Sequence, residues 1–574
     1  MRPTRPSSQK APIAHPVPRA QYRVQIDKDI DVELRDGARL KADVFRPRGS
    51  GRFPVILNLG SYQKDKHWTP PTDLEEKDNP YMNWETINPL WWVPRGYVAM
   101  RVDGRGSGKS PGLADPFSLQ ESLDFHDAIE WAARQPWCNG NVGLLGISYF
   151  AMTQWLVANQ KPPSLKAIIP WEGAADLYRD FAFHGGIFCF GFVNNWYMNH
   201  SAHHMLGNLY GANPDSFSKN WVWQFMHDNL DRGQYHDRRA HWDEMELPIY
   251  SVGNWSGMAL HLRGNTEAFM HAKSKHKKLR IHAGTHYHPF YTEEARVDQI
   301  RFFDYWLKGK KNGVMDEPPV KLLIRTGGGK GYQFRYENEW PIKRTQWTRF
   351  YLKPVKPGKT PKKNVEGLLE RITPRQSQAL TYAASGMSKA GVASASWTST
   401  VLPGSLPHMG ISFQTDPMEE ELEVTGPVNL VLWVSSTSED MDIFATIRNV
   451  DEKGNDVWEV GQQQQTVPVA KGWLRVSHRK MDDKKSLPYR PWHSHDERWP
   501  LKVNEVVRVE VEIWPTCMVF AKGHRLCLDI QPRDGVGSAP YTHYSADYNS
   551  GTNTVYTGGK TASYLLLPII PQKK

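Results

Sequence analysis

The sequence lacks several features that define common protein classes. It has only four cysteines among 574 residues, Cys138, Cys189, Cys517 and Cys527, and their positions show no spacing typical of metal ligands. No segment comes near the eighteen consecutive apolar residues that a membrane-spanning helix needs. We therefore expect free buried thiols in a reducing cytoplasm, with pairing of Cys517 and Cys527 as the alternative, and no contact with a membrane.

The chain also lacks a concentrated patch of one charge. Its net charge of +10 favours acidic partners in principle, but lysine and arginine are scattered along the sequence. The densest basic run, 273–280, is typical of a solvated helix end and loop, so no nucleic-acid partner is expected. Residues 1–20 are basic and rich in proline and serine without an apolar core, which predicts a disordered or draped tail and not a signal peptide.

The rest of the chain divides into two regions with different patterns of apolar residues. Over residues 21–345, a hairpin pattern around Asp36-Gly37 is followed by alternating apolar strands and helices, which predicts an α/β domain with a mostly parallel sheet. Predicted strands cover 53–59, 97–102, 142–147, 165–170, 248–253 and 278–283, and predicted helices cover 119–134, 149–158, 259–273 and 293–308. Over residues 346–574, short runs with turn signals predict an all-β sandwich or jelly roll.

The periodicity degrades between about 177 and 243, where aromatic residues and histidines crowd together. We interpret this stretch as a helical cap laid over the ends of the strands, with a purely structural helical insertion as the alternative. An aromatic lining from such a cap favours bulky, apolar or aromatic groups on a substrate.

Ser148 lies where the pattern changes from a buried strand to a helix. A serine on such a turn has its Oγ lifted above the sheet edge, beside free backbone N–H groups that suit a tetrahedral oxyanion. Gly146 fits the crowded turn, because a side chain there would collide with its neighbours. Phe150 stands where the motif G-x-S-x-G has its second glycine, so the match is partial. The alternative is a serine that only caps the helix.

The loop 103–112 contains several glycines, yet no helix begins inside it as a dinucleotide-binding fingerprint requires. Nucleotide binding is therefore not expected. Asp103 and Arg105 in this loop are interpreted as a hydrogen-bonded pair that fixes its shape.

The motifs together resemble the cocaine esterase / X-Pro dipeptidyl-peptidase-like (CocE/NonD) family of serine hydrolases. The resemblance rests on Asp103-x-Arg105-Gly106-x-x-x-Ser110-x-Gly112, Trp137-x-Asn139-Gly140-x-Val142-Gly143-x-x-Gly146-x-Ser148-Tyr149, the Tyr62 loop, the helix end 302–309, and the distal stretches 422–427 and 563–568. In this family the small residue falls three positions after the serine, here Ala151. The resemblance implies an α/β-hydrolase domain with a helical cap, followed by a C-terminal jelly roll.

Roles for the site residues follow. Ser148 is the predicted nucleophile and His286, after the last predicted strand, is the predicted general base. The resemblance implies that the N–H of Tyr149 and the hydroxyl of Tyr62 hold the oxyanion. His282 is expected to be a packed residue, and His288 is the alternative base. No carboxylate joins these histidines nearby, so no metal and no other cofactor is expected.

The sequence departs from the family at the acidic residue that would orient the general base. The family has an aspartate in a Gly-x-x-Asp-Gly context, and this chain has Ser256 at that place. A hydroxyl cannot offset an imidazolium charge as a carboxylate does. Glu172, directly after the strand that follows the nucleophile helix, is the predicted replacement, with a surface or cap-facing charge as its alternative role. Glu267 is a weaker candidate.

The predicted function is hydrolysis of a small-molecule carboxylic ester or amide through an acyl-enzyme. The first alternative is an X-Pro dipeptidyl peptidase or an α-amino acid ester hydrolase or acylase. The peptidase needs an acidic anchor for a free α-amine, which Glu172 or Asp176 would supply. The second is a degenerate hydrolase that acts as a binding module, an interpretation kept open by Ser256. The sequence decides neither the physiological substrate nor the oligomeric state, and homo-oligomerisation stays open.

Overall fold

The computed structural model describes residues 15–201, 221–329, 331–355, 365–384, 410–535, 537–538, 540–543 and 551–571. Residues 1–14 of the predicted tail lie outside the described residues. The described end of the tail lies along the first domain, since Nε2 of His15 is 3.4 Å from Oε1 of Glu317 and Val17 packs against the core.

A ten-stranded sheet forms the N-terminal part. Its strands are β1 (Val24–Glu33), β2 (Arg39–Pro47), β3 (Phe53–Gly60), β4 (Val98–Asp103), β5 (Cys138–Ile147), β6 (Leu165–Trp171), β9 (Ile249–Asn254), β10 (Lys277–His282), β11 (Val320–Ile324) and β12 (Gln333–Glu337), in spatial order β1-β2-β4-β3-β5-β6-β9-β10-β11-β12. The pairings from β4 to β11 are parallel, and the outer pairings β1–β2, β2–β4 and β11–β12 are antiparallel. The predicted hairpin and parallel sheet are thus confirmed.

Helices connect these strands. They are α1 (Pro89–Trp92), α2 (Leu119–Ala133), α3 (Tyr149–Asn159), α4 (Phe190–Asn194), α5 (Trp221–His227), α6 (Leu262–His271) and α7 (Glu293–Lys308). Helix α7 begins and ends where its sequence predicts. The Thr292 hydroxyl accepts from the N–H of Ala295 at 3.3 Å, and Gly309 takes the left-handed conformation that ends many helices. Within the described part of the chain, no helix is both long and apolar enough to cross a membrane.

The segment between β6 and β9 covers the carboxyl ends of the strands. Short helical pieces dominate its described residues: two π-helical turns (Leu177–Ala182 and Asn195–Ser201), α4, α5 and two 3-10 turns (Gly233–Arg238 and Trp242–Glu244). A short hairpin lies among these helical pieces. It is formed by two strands of two residues each, β7 (Phe183–His184) and β8 (Ile187–Phe188). The part of the predicted cap at 202–220 lies outside the described residues.

Among its described residues, the C-terminal part consists of strands, 3-10 turns and loops. The strands are β13 (Gln346–Pro354), β14 (Gly367–Glu370), β15 (Gln378–Ala383), β16 (Ile411–Gln414), β17 (Leu422–Ser436), β18 (Asp442–Val450), β19 (Glu459–Val460), β20 (Thr466–Val467), β21 (Ala470–Arg475), β22 (Val507–Phe520), β23 (Arg525–Gln531), β24 (Thr552–Thr557) and β25 (Tyr564–Ile570). Because β25 pairs with both β13 and β17, the eleven-stranded sheet closes on itself like a barrel. The finer assignment to a jelly roll stays a prediction.

All four cysteines are buried and free. Cys517 on β22 and Cys527 on β23 are not bonded to each other, so the expectation of free thiols is confirmed.

Candidate active site

Ser148 stands between β5 and α3 in a strained backbone conformation. Its φ of 56° and ψ of −111° lie outside the regions that residues with a side chain usually adopt, at a cost of ~1–3 kcal/mol. Its side chain makes no capping hydrogen bond with α3, which removes the interpretation as a simple helix cap. The backbone N–H of Ser148 donates to the carbonyl oxygens of Trp171 at 3.0 Å and Glu172 at 3.2 Å. The turn is therefore tied to the end of the neighbouring strand β6.

Gly146 is required by close approach. A Cβ at this position would lie 2.5 Å from Cβ of Phe150, 2.8 Å from Nδ2 of Asn58 and 3.2 Å from the carbonyl oxygen of Glu85. The predicted crowding at the turn is confirmed, with these residues as the neighbours.

His286 and Glu172 meet above the sheet. His286 lies on the loop after β10, and its Nδ1 is 2.7 Å from Oε2 of Glu172. Glu172 follows β6 directly and is fully buried, with a positive φ of 51°. Strands β6, β9 and β10 are neighbours in the sheet, which explains why a carboxylate after β6 reaches an imidazole after β10.

Polar side chains hold the Glu172 carboxylate in place. Nδ2 of Asn254, at the end of β9, donates to its Oε1 at 3.1 Å. The amide of Gln462, from the C-terminal barrel, donates to its Oε2, and the Tyr541 hydroxyl donates to Oε1 of Gln462 at 3.1 Å. The backbone N–H of His286 donates to the backbone carbonyl oxygen of Gln462 at 3.0 Å. The C-terminal barrel therefore takes part in positioning the imidazole and the carboxylate.

Glu85 is a site residue that the sequence did not reveal. Its Oε1 lies 3.0 Å from Nε2 of His286, on the ring edge opposite Glu172. Its backbone also has a positive φ, of 61°. The hydroxyl of Ser148 and the N–H of Tyr149 are close enough to favour its ionised form. The carboxylate thus lies beside the groups that would bind an acyl oxyanion.

The signal that pointed to Glu85 was weak. It is a charged residue in the aromatic-rich segment 81–92, between β3 and β4, with no periodicity to place it. Gln462 carried even less signal, because it lies on a turn between β19 and β20, far along the chain from the other site residues.

The charges in the site act strongly on one another. Burial alone lowers the pKa of His286, but the charges of Glu172 and Glu85 overcome it and raise that pKa to about 10. Burial raises the pKa of Glu85 above its ordinary value, although hydrogen bonding to His286 opposes the rise. An imidazolium held between two buried carboxylates is the arrangement that these charges favour.

Tyr62 packs over the nucleophile turn. Its ring lies 5.1 Å from that of Tyr149 and 5.7 Å, edge-on, from that of Phe150. The Trp196 indole, from the cap, donates to the Tyr62 hydroxyl at 2.9 Å, and its ring stacks 6.0 Å from Tyr149. Burial, followed by the charge of Glu85, raises the pKa of Tyr62 well above its usual value, which keeps the phenol protonated.

Three residues that the sequence considered for this chemistry lie outside the site. The Ser256 hydroxyl is buried without a hydrogen-bond partner among the described residues, so the position of the family aspartate is not used. Glu267 is 2.7 Å from Nη1 of Arg490. His288 points its Nε2 to the carbonyl oxygen of Asp73, at 3.2 Å. The departure at Ser256 is therefore offset by the carboxylate of Glu172.

His282 is a packed residue, as predicted. It stacks 5.3 Å from Trp171, and burial lowers its pKa to about 4 although its Nε2 is 3.3 Å from Glu172.

Asp103 and Arg105 each fix the loop, but not by pairing with one another as the sequence suggested. Asp103 accepts from the N–H groups of Lys64 at 2.7 Å and Lys109 at 2.8 Å. Arg105 makes two 2.8 Å hydrogen bonds with Asp124. The prediction of a mutual pair was wrong because each side chain binds other partners.

Asp176 does not offer a free anchor for an amine. Its Oδ2 is 3.0 Å from Nη1 of Arg179 and 3.9 Å from Nε of Arg239. Burial works against its ionised form, yet the charges of Arg239 and Arg179 hold its pKa at about 2. Glu172 is likewise occupied by His286, so neither predicted anchor faces a substrate.

Comparison with known proteins follows the same division into two parts. The model of the X-Pro dipeptidyl-peptidase (S15) family matches residues 36–288, and the model of the X-Pro dipeptidyl-peptidase C-terminal non-catalytic domain matches residues 312–566. The crystal structure of a CocE/NonD family hydrolase from Staphylococcus aureus is 32% identical, with a TM-score of 0.83, and the match covers 96% of this chain and 94% of that chain. This chain belongs to the CocE/NonD hydrolase family. It is therefore a hydrolase, and the resemblance stated from the motifs is confirmed.

Curated relatives of this CocE/NonD hydrolase differ in how much of the chain they match. The cocaine esterase of Rhodococcus sp. is 23% identical over 95% of this chain and 98% of its own length. The Xaa-Pro dipeptidyl-peptidase of Streptococcus sanguinis is 23% identical over 46% of this chain and 43% of its own length.

Proposed function

We propose that this CocE/NonD hydrolase is a serine esterase that transfers the acyl group of a small carboxylic ester to Ser148. The observation that carries the proposal is the 2.7 Å contact between His286 and Glu172 above a strained serine turn. A nucleophile, a base and an acid that orients the base are the parts that acyl transfer needs.

The reaction begins when the ester carbonyl takes the place beside Ser148 and Tyr149 that the Glu85 carboxylate occupies. As Glu85 moves away, the proton on Nε2 of His286 passes to solvent, and the neutral imidazole then removes the proton of the Ser148 hydroxyl as its oxygen attacks the carbonyl carbon. The N–H of Tyr149 and the hydroxyl of Tyr62 donate to the oxyanion, and Glu172 stabilises the imidazolium. His286 then gives the proton to the leaving alcohol. Water attacks the acyl-enzyme with His286 as base, which releases the acid and restores Ser148.

The C-terminal part and the cap each have a role in this proposal. We place the boundary of a jelly-roll domain near residue 346, and assign to it the amide of Gln462, which bridges Glu172 and Tyr541. The Trp196 indole from the cap orients the phenol of Tyr62. The aromatic side chains around Trp196 favour an apolar or aromatic acyl group.

An ester is a better substrate proposal than an X-Pro peptide. The cocaine esterase of Rhodococcus sp. matches nearly all of the chain, whereas the Streptococcus sanguinis peptidase matches less than half. The predicted amine anchors point the same way, since Asp176 is bound to arginines and Glu172 to His286.

Glu85 supports a second candidate, an α-amino acid ester hydrolase. An ammonium group next to the scissile carbonyl would come close to the Glu85 carboxylate and offset its buried charge. In this version Glu85 selects α-amino acyl groups.

The test is covalent labelling followed by a comparison of substrates. A fluorophosphonate probe is expected to label Ser148, located by peptide mass, in wild type and not in Ser148→Ala. That variant should lose on the order of a million-fold in kcat. Folded wild-type protein that takes no label would overturn the serine mechanism. Hydrolysis of neutral p-nitrophenyl acyl esters supports the esterase. A requirement for an α-amino acyl group supports the α-amino acid ester hydrolase, and hydrolysis of X-Pro anilides supports the peptidase.

A further inference from the structure

A second group of chemically active side chains lies between the cap and the C-terminal barrel. His184, Cys189 and His543 each direct one ligand-type atom to a common point, and these atoms lie within 4.8 Å of one another. Nδ1 of His184 and Nε2 of His543 are 2.7 Å apart. The side chains of all three are buried, and none of them is among the residues named above in the candidate active site.

The hairpin β7–β8 explains why His184 and Cys189 share a face. His184 pairs with Ile187 across a Gly185-Gly186 turn, and the N–H of Cys189 continues the ladder by donating to the carbonyl oxygen of Ala182 at 2.8 Å. Residues that oppose each other in an antiparallel pair, and residues two apart in one strand, project from the same face. The pleat therefore brings His184 and Cys189 together.

His543 is oriented from behind by a carboxylate. Both oxygens of Asp534 lie 3.1 Å from its Nδ1, and the Asp534 carboxylate also accepts from the backbone N–H of His543 at 2.6 Å. An Nδ1–H that donates to Asp534 leaves the lone pair on Nε2, which faces His184. A histidine with its far ring nitrogen bound to a carboxylate is the usual arrangement around protein-bound zinc.

His184 is oriented in a corresponding way. Its Nε2 is 3.3 Å from the carbonyl oxygen of Asp180, which can only accept, so Nε2 carries the proton. The lone pair on Nδ1 then faces the lone pair on Nε2 of His543. Two lone pairs 2.7 Å apart repel unless a proton or a cation lies between them.

The geometry points to a zinc site formed by His184, Cys189 and His543, with Asp534 behind it. Two imidazole nitrogens and a thiolate suit a borderline divalent ion such as Zn²⁺. The charges also balance, because the Cys189 thiolate and the Asp534 carboxylate together offset a +2 ion in a buried place. Metal binding at this site can be measured without relying on the proposed esterase mechanism.

A metal at this point would join parts that are far apart in the chain. His184 and His543 are 359 residues apart, on the cap and on the loop after β23. Cys189 directly precedes α4, which leads to Trp196, the donor to Tyr62. Zinc would thus fix the cap segment that orients the phenol above Ser148. The spacing of residues in the sequence does not indicate this zinc site, since His543 is remote in the chain from His184 and Cys189.

Metal binding by the full chain tests the proposal. Protein stripped with a chelator and then given Zn²⁺ is expected to hold about one zinc per chain and to show a higher Tm. Co²⁺ in place of Zn²⁺ is expected to give a thiolate-to-cobalt charge-transfer band. Cys189→Ser and His543→Gln should lose the metal, the band and the Tm increase. Cys517→Ser removes another buried cysteine and should keep all three.

Two outcomes would overturn the site. One is a wild-type protein that binds no zinc, and the other is bound cobalt without a thiolate band, which places the metal elsewhere. Both are read on wild type, so they hold even if a variant fails to fold. Retention of the metal by folded Cys189→Ser would have the same meaning.

Discussion

The carboxylate of Glu85 lies 3.0 Å from Nε2 of His286, so the imidazole is bound by a carboxylate on both of its nitrogens. In a serine hydrolase, Nε2 is the nitrogen that takes the proton from the nucleophile. The substrate-free protein therefore keeps its base protonated and covers the nitrogen that the reaction needs. In the proposed mechanism, substrate therefore has to displace Glu85 before catalysis begins.

The first prediction concerns the pH dependence of Glu85→Gln. The charges of Glu172 and Glu85 raise the pKa of His286 to about 10, and a nearby opposite charge contributes roughly 1–3 pH units. Wild-type kcat/KM, which reports the free enzyme, should therefore rise with pH to a midpoint well above the ordinary histidine value. In Glu85→Gln we expect this midpoint to move down by roughly 1–3 units, measured with a neutral ester.

Glu244→Gln is the matched control for that experiment. It removes the same charge from an exposed glutamate paired with Lys161, and it should leave the midpoint unchanged. An identical pH profile for wild type and Glu85→Gln would show that Glu85 does not act on the base.

The second prediction compares the two positions considered for the acid. Glu172→Gln keeps the shape of the side chain but removes the charge that stabilises the imidazolium. We expect kcat to fall by about 10,000-fold, as for an amide in place of a triad acid. Ser256→Ala should stay within a few-fold of wild type, because its hydroxyl has no hydrogen-bond partner among the described residues. Near-normal turnover by Glu172→Gln, in protein with the wild-type circular dichroism spectrum, would remove Glu172 from the mechanism.

The third prediction concerns the oxyanion. Tyr62→Phe keeps the ring that packs on Tyr149 and Phe150 but removes the phenol donor. Loss of one such donor costs about 3 kcal/mol of transition-state stabilisation, so kcat should fall roughly 100-fold. KM should change little, since the donor acts on a charge that develops during the reaction. A higher KM with a normal kcat would instead assign Tyr62 to substrate recognition.

The sequence predicted the frame of the molecule because the frame follows from local patterns. Strands buried on both faces, such as β3 and β6, appear as continuous apolar runs. Ser148 was found where a buried strand changes to a helical period. Glu172 was found from topology, since it ends a strand that neighbours the nucleophile strand.

Partners chosen by tertiary structure were out of reach. Glu85 comes from a segment without periodicity, and Gln462 reaches Glu172 from the turn between β19 and β20. Arg105 pairs with Asp124 and not with Asp103, because an arginine pairs best with a carboxylate that it can bind through two hydrogen bonds, wherever the fold places that carboxylate.

The last prediction separates crowding at the nucleophile turn from crowding elsewhere on β5. In Gly146→Ala the new methyl group would lie 2.5 Å from Cβ of Phe150, which packs on Tyr62. In Gly143→Ala it would lie 2.6 Å from the ring of Phe303, on α7. Overpacking of this kind costs ~1–3 kcal/mol, so both variants should have a lower Tm than wild type.

Only one of the two should lose catalysis. Phe303 is on the helix α7, away from Ser148, so folded Gly143→Ala should keep the wild-type kcat. Gly146→Ala displaces Phe150 beside the nucleophile and should lower kcat as well as Tm, measured at a temperature where both variants are folded. Equal kcat values for the two variants would mean that the turn absorbs the methyl group without moving Ser148 relative to His286.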